Sequence, residues 1–262
     1  MLIALSQLIA IGLYSWLIVR SSGVLLGKWS TCGRRQQGIL LLAVLSHWLV
    51  IGLALVYGHV SVEGYDAISL FVIVTGLVTL AILLLSQWQW LSIVAPLAAL
   101  LAVIALSLIG WPQMQFDHYY LATKELLHVF LSVLTAVVLL LTAWQSLVVF
   151  GQELGLRYKW QLAWLHRLPP LQATEQQLFG LIVICFICLT GMLWSSLWLF
   201  IPWETTALLY KTVLTVMAWA IFAGLLIGRY WFGWRGQQAI RWTLGGVGLV
   251  LILFLVSYWG GV

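Results

Sequence analysis

Eight stretches of roughly 20 predominantly apolar residues, joined by short connections, constrain this chain more than any other feature. A helix of that length crosses the hydrocarbon core of a bilayer with its backbone hydrogen bonds satisfied internally. Only 7% of the 262 residues are charged, against about 25% in a soluble domain. The sequence therefore predicts an all-α, polytopic membrane protein in which residues 1–262 form a single transmembrane domain. The eight predicted transmembrane helices are 1–19, 38–57, 67–86, 91–110, 126–149, 177–199, 206–228 and 243–259.

Positive charge is distributed unevenly between the two sets of connections. Of the 12 Lys and Arg residues, ten follow helices one, three, five and seven, and only Lys124 and Lys211 fall on the other side. The positive-inside rule then places both termini outside, in the periplasm, for a multi-pass protein of the bacterial inner membrane. Arg20 follows the first apolar stretch rather than preceding it, which favours a retained helix over a cleaved signal peptide.

The same composition excludes several functions. The apolar chain leaves no surface for binding nucleic acid, so the lipid bilayer is its predicted partner. No phosphate-binding loop, nucleophile elbow or zinc-protease motif is present, and no acidic pair falls within a span. We therefore predict no catalytic residue.

Five histidines are the side chains most able to carry chemistry. His47 lies near the middle of helix two, where an ionisable group is costly. It is either a polar packing residue bonded to a neighbouring helix or an axial ligand to haem iron. His128 lies at the outer end of helix five, four residues before Ser132 and on the same face. His59 and His118 fall in outer connections.

Tryptophan is concentrated around the outer connection between helices six and seven. Trp194, Trp198 and Trp203 are followed by Glu204, and Lys211 lies one to two turns into helix seven. An interfacial aromatic belt accounts for such a cluster. The alternative is a platform on which a flat, amphiphilic ligand stacks while the charges meet its polar groups.

Cys185 and Cys188 form a C-x-x-C pair inside helix six. A redox pair normally lies at a helix N-terminus, where the thiolate is stabilised. We predict that these two cysteines are small packing residues.

Short motifs along most of the chain suggest a family. They are the central His47 of helix two, Leu127-His128-Val129 through Leu131-Ser132, Pro169-Pro170-Leu171 followed by Glu175, Lys211-Thr212-Val213-Leu214 with Ala218-Trp219, and Gly233-Trp234-Arg235-Gly236 before the last span. With these motifs the chain resembles the CcsA-like cytochrome c assembly family, in particular its small eight-helix YpjD/HemX-type branch.

The resemblance implies a protein that binds b-type haem in cytochrome c maturation, delivering it or acting as an accessory to other maturation proteins. His47 and His128 correspond to the family's iron ligands. Trp194, Trp198, Trp203 and Glu204 occupy the place of its tryptophan-rich outer segment in degenerate form, with Lys211 nearby.

The sequence departs from the family at two expected ligands. The stretch 226–231 lacks the second intramembrane histidine, and 257–262 lacks the outer one. His59 or His118 would then have to substitute, and the expected role is accessory rather than that of a full haem ligase. The alternative is a haem-free scaffold or regulator that retains the fold and binds another membrane protein. A third interpretation is a small-molecule transporter, which would need a polar path across the bundle.

Overall fold

Every element in the described part of the chain is an α-helix. The computed structural model describes residues 2–25, 33–56, 67–84, 91–108, 123–158, 168–199, 206–234 and 236–259, with no β-strand among them. The predicted all-α class is therefore confirmed. The helices are α1 (Leu2–Leu25), α2 (Gly33–Val56), α3 (Ala67–Leu84), α4 (Leu91–Leu108), α5 (Thr123–Arg157), α6 (Leu171–Leu199), α7 (Thr206–Phe232) and α8 (Gln237–Trp259).

Several helices extend beyond their apolar stretches. α5 was expected to end at residue 149 and reaches Arg157, and α6 was expected to begin at 177 and begins at Leu171. Gln, Glu, Leu and Arg propagate helices well, so the helix continues into polar flanks that hydropathy does not mark. Pro170 fixes the start of α6, because its carbonyl accepts the amides of Ala173 at 2.8 Å and Thr174 at 3.2 Å.

Five helices of the described residues are long and apolar enough to cross a membrane. They are Leu2–Gly23, Arg35–Ala54, Leu127–Arg157, Leu171–Leu197 and Thr212–Phe232. Two shorter apolar segments, Phe71–Leu83 and Pro96–Ser107, lie in α3 and α4. The protein is thus a helical chain with multiple membrane spans, and the full set of eight spans stays a prediction.

The chain divides into two compact units. Unit 1 comprises residues 1–133 and 161–169. Within it α1 packs against α2 and α4, and α3 packs against the same two helices, so the four helices form a closed ring. Alanines such as Ala10, Ala43 and Ala102 line its buried core. Small residues let membrane helices approach closely, which strengthens van der Waals packing where lipid provides no hydrophobic drive.

Unit 2 comprises residues 134–160 and 170–262, and in it α7 packs against α6 and α8. Its core includes Leu139 of α5, Ile182 of α6 and Phe222 of α7. Cys185 and Cys188 belong to the same apolar core, which confirms that they are packing residues. That residues 1–262 form a single transmembrane domain stays a prediction, because it concerns both units.

Gly233, Trp234 and Gly236 of the Gly-Trp-Arg-Gly motif lie between α7 and α8. Gly233 and Gly236 have φ values of 65° and 57°, in the left-handed region that favours glycine. The Trp234 amide donates to the Gly228 carbonyl at 3.1 Å, and the Trp234 ring stacks on Trp242 with centroids 5.7 Å apart. The motif that is most typical of the family therefore has a clear structural role in this chain.

Candidate functional site

His47 lies at the centre of a buried polar network in unit 1. Its side chain is 0% exposed. Its Nε2 lies 3.2 Å from the carbonyl oxygen of Val72 on α3, and its Nδ1 lies 3.4 Å from the Tyr14 hydroxyl on α1. That hydroxyl also donates to Thr79 Oγ1 at 3.1 Å. The predicted position of His47 inside helix two is confirmed, and three helices meet at its ring.

The α3 backbone comes close to the imidazole at Gly76. A Cβ at this position would lie 3.5 Å from His47 Nε2 and 3.2 Å from the Ile51 Cδ1 atom. An iron bonded to Nε2 would have to take the place of the Val72 carbonyl, and a macrocycle there would have to displace α3. The residues around His47 therefore do not fit an axial haem ligand in this structure.

His128 differs from His47 in its exposure. It lies near the start of α5 and is half-buried, and its backbone carbonyl accepts the Ser132 hydroxyl at 2.8 Å. This bond confirms that the two residues share one helical face. His128 is thus partly exposed at the end of a candidate span, unlike the enclosed His47.

The structure describes the remaining predicted site residues only in part. Trp194 lies in the last turns of α6 and is 66% exposed. An interfacial aromatic belt and a platform for a stacked ligand both require such an exposed indole. Trp198 and Lys211 belong to α6 and α7, but their side chains lie outside the described residues, as do His59, His118, Trp203 and Glu204 entirely.

Trp219 of the Ala218-Trp219 motif contacts α6 within unit 2. The Trp219 Nε1 atom donates to Thr190 Oγ1 at 2.9 Å, and its ring lies 5.3 Å from that of Phe186. These contacts join α6 to α7. The Ala218-Trp219 motif therefore positions helices of this unit.

Sequence reasoning missed the partners of His47. Its direct partner Tyr14, and Thr75 and Thr79 of the same network, lie inside apolar runs and belong to no motif. The two threonines are spaced four residues apart, which places them on one face of α3, and this spacing was the available signal. The bond between Thr79 and Tyr14 of α1 depends on tertiary packing that a single sequence does not give.

A second buried polar network was also missed, in unit 2. Gln145 of α5 donates through Nε2 to Gln177 Oε1 at 3.0 Å and to the Thr174 carbonyl at 3.2 Å. Thr174 Oγ1 in turn donates to Gln152 Oε1 at 2.7 Å. These hydrogen bonds join α5 to α6. Apolar side chains alone would do little to fix the orientation of one helix against the other.

No group of three or more His, Cys, Asp or Glu side chains converges as a metal site within the described ranges. A ligand set of several protein side chains around one ion is therefore not built from those residues. A single histidine remains sufficient for axial coordination of haem iron.

Fold and composition together define a multi-pass, helical membrane protein. The chain is 26% identical over 166 residues to the inner membrane protein YpjD of Escherichia coli strain K12, a match that covers 63% of the chain and 61% of YpjD. It is 32% identical over 133 residues to a 28.8 kDa protein of Azospirillum brasilense, covering 50% of the chain and 46% of that protein. No family model and no solved structure matches the chain. The chain is accordingly a multi-pass protein of the inner membrane.

Proposed function

We propose that this chain is a haem-handling inner-membrane protein of the CcsA-like cytochrome c assembly family, with haem delivery or an accessory role in cytochrome c maturation. The motifs around His128, Trp219 and Trp234 support the family, and the similarity to YpjD supports the branch. The role is one of binding and presentation, and the chain needs no catalytic residue for it.

The observation that carries the proposal is the accessibility of His128. A haem ligand must present a ring nitrogen to a wide, flat group, and His128 is half-buried whereas His47 is fully enclosed. Neutral imidazole is also among the commonest axial ligands of haem iron. We therefore assign iron ligation to His128 and not to His47.

Other residues of the chain would hold the rest of the group. By the resemblance, Trp194, Trp198 and Trp203 are the indoles expected to stack on it, and Trp194 is exposed. Glu204 and Lys211 supply charges for polar substituents. His59 or His118 is the proposed second ligand. Haem, when bound, would supply the iron and the visible absorption by which binding is followed.

The proposal is tested on protein purified in mild detergent from haem-replete cells. An absorption spectrum and a pyridine haemochrome assay measure haem per chain in the wild type, in His128→Ala and in a control, His166→Ala. The predicted topology puts His166, which follows helix five, on the cytoplasmic side. We expect haem in the wild type and the control and its loss in His128→Ala. A wild-type protein without haem, even after added hemin, would refute the proposal.

The full topology is part of the same proposal, with eight spans and both termini in the periplasm. Alkaline phosphatase is active only outside the cytoplasm, so a fusion at the C-terminus should be active. A fusion within the connection at 159–167 should be inactive. The reverse pattern would overturn the orientation and place His128 on the cytoplasmic side.

A haem-free scaffold is the second candidate, and the His47 network favours it. Both ring nitrogens of His47 have partners within the protein, so this buried histidine needs no cofactor to account for it. The scaffold predicts a stoichiometric membrane-protein partner after mild crosslinking and purification, together with no haem in any sample.

A further inference from the structure

The contacts of His47 define the protonation of its ring. The Val72 carbonyl can only accept a hydrogen bond, so Nε2 at 3.2 Å carries the proton and donates it. In a neutral imidazole Nδ1 is then an acceptor, and its neighbour at 3.4 Å is the Tyr14 hydroxyl. The ring therefore donates to α3 and accepts from α1.

The hydroxyl of Thr79 fixes the direction of the remaining bond. It donates to the backbone carbonyls of Thr75 at 2.9 Å and Gly76 at 3.0 Å, so its proton is committed within α3. Tyr14 must then be the donor to Thr79 as well as to His47, and its single proton is shared between them. Each side-chain polar atom of this network thus has a partner within the protein.

We propose that His47 is a hydrogen-bond hub that fastens α1, α2 and α3 to one another, and that its imidazole is committed to Tyr14 and Val72 rather than to iron. The inference does not rest on the proposed function, because the hub holds the three helices whether or not haem binds elsewhere.

Packing supports the same assignment. The Tyr14 ring meets the His47 ring edge-on, at 85° with centroids 5.8 Å apart, and Tyr14 is 0% exposed. Gly76 brings the α3 backbone close to the Nε2 and Cδ2 atoms of the imidazole, whereas the Tyr14 hydroxyl lies at Nδ1. Thr75 Oγ1 shares the Val72 carbonyl at 3.0 Å. The ring is enclosed on the sides from which a ligand would approach.

Stability measurements on matched variants test the hub. His47→Phe keeps an aromatic ring but removes both bonds, Tyr14→Phe removes only the hydroxyl, and His47→Gln keeps a donor that can reach Val72. Ser46→Ala is the control, because the Ser46 hydroxyl bonds at 2.9 Å to Ala43 within its own helix. Reversible unfolding by sodium dodecyl sulfate in mixed micelles gives the unfolding constant of each variant.

We expect the unfolding constant to rise about fivefold for each buried hydrogen bond removed. His47→Phe should thus exceed Tyr14→Phe, His47→Gln should recover part of the loss, and Ser46→Ala should change little. The effects of Tyr14→Phe and His47→Phe should be less than additive, because both remove the same bond. Strictly additive effects, or no recovery in His47→Gln, would overturn the hub.

A second measurement uses the wild-type protein and does not depend on any variant being stable. In selectively ¹⁵N-labelled histidine, protonated and unprotonated ring nitrogens resonate in separate ranges, and the His47 signals are identified by their absence in His47→Gln. We expect a neutral ring with the proton on Nε2, unchanged when hemin is added. A proton on Nδ1, or a hemin-dependent change assignable to iron ligation at His47, would refute the inference. Absence of haem binding would refute the proposed function and leave this result intact.

Discussion

Alanine at Gly228 is expected to destabilise the protein by about 2 kcal/mol. Gly228 lies in α7 directly beneath the indole of Trp234 in the turn that follows. A Cβ there would lie 2.3 Å from Trp234 Cε3 and 2.4 Å from Cδ2. These are ring atoms of a rigid side chain, so the whole indole would have to move.

Three contributions set the size of the effect. Overpacking costs about 1–3 kcal/mol, and displacing Trp234 from its stack on Trp242 costs about 0.5–1.5 kcal/mol. Replacing glycine by alanine within a helix returns roughly 1 kcal/mol. The packing losses exceed the helical gain, which gives a net loss of about 2 kcal/mol.

The assay is reversible unfolding in mixed micelles, with Gly224→Ala as the matched control. Gly224 lies one turn earlier in the same helix, and a Cβ there would meet nothing within 4 Å. The control should be stabilised by up to about 1 kcal/mol. In a Trp234→Ala background, Gly228→Ala should lose its penalty. Equal stability of the two alanine variants in the wild-type background would refute this reasoning.

Two further predictions concern the packing of unit 2. In α8, Gly246→Ala should destabilise the protein by about 1–3 kcal/mol, because its Cβ would lie 2.8 Å from Phe222 Cε2, whereas a Cβ at Gly245 would meet nothing within 4 Å. The same unfolding assay on both variants tests this, and a Gly246→Ala protein as stable as Gly245→Ala would contradict it. Thr174→Val should cost about 1–2 kcal/mol, because it removes the buried 2.7 Å bond to Gln152 while keeping the shape of the side chain. The midpoint of thermal unfolding, measured without denaturant on variant and wild type of equal helicity, checks this result. An unaltered midpoint would contradict the contribution of the bond.

The helices of this protein could be predicted because apolar runs of bilayer length have few alternatives in lipid. Their ends could not, since α5 and α6 continue into polar residues that form helices equally well. The burial of His47 followed from its place in the middle of an apolar run.

The partners of His47 and the meaning of the Gly-Trp-Arg-Gly motif required the structure. Which helices pack together is decided by tertiary contacts, so Tyr14 and Val72 could not be chosen from the sequence. The motif resembles a family marker, but its glycines adopt positive φ values and its tryptophan covers Gly228, which are local geometric roles.

The central claim is that His128 and His47 have different roles, with His128 binding iron and His47 holding helices together. Hemin titration of purified wild type, His128→Ala and His47→Gln, followed by the Soret absorption, tests it most directly. The account predicts a saturable Soret change in the wild type that persists in His47→Gln and is lost in His128→Ala. Loss in His47→Gln with retention in His128→Ala would contradict it.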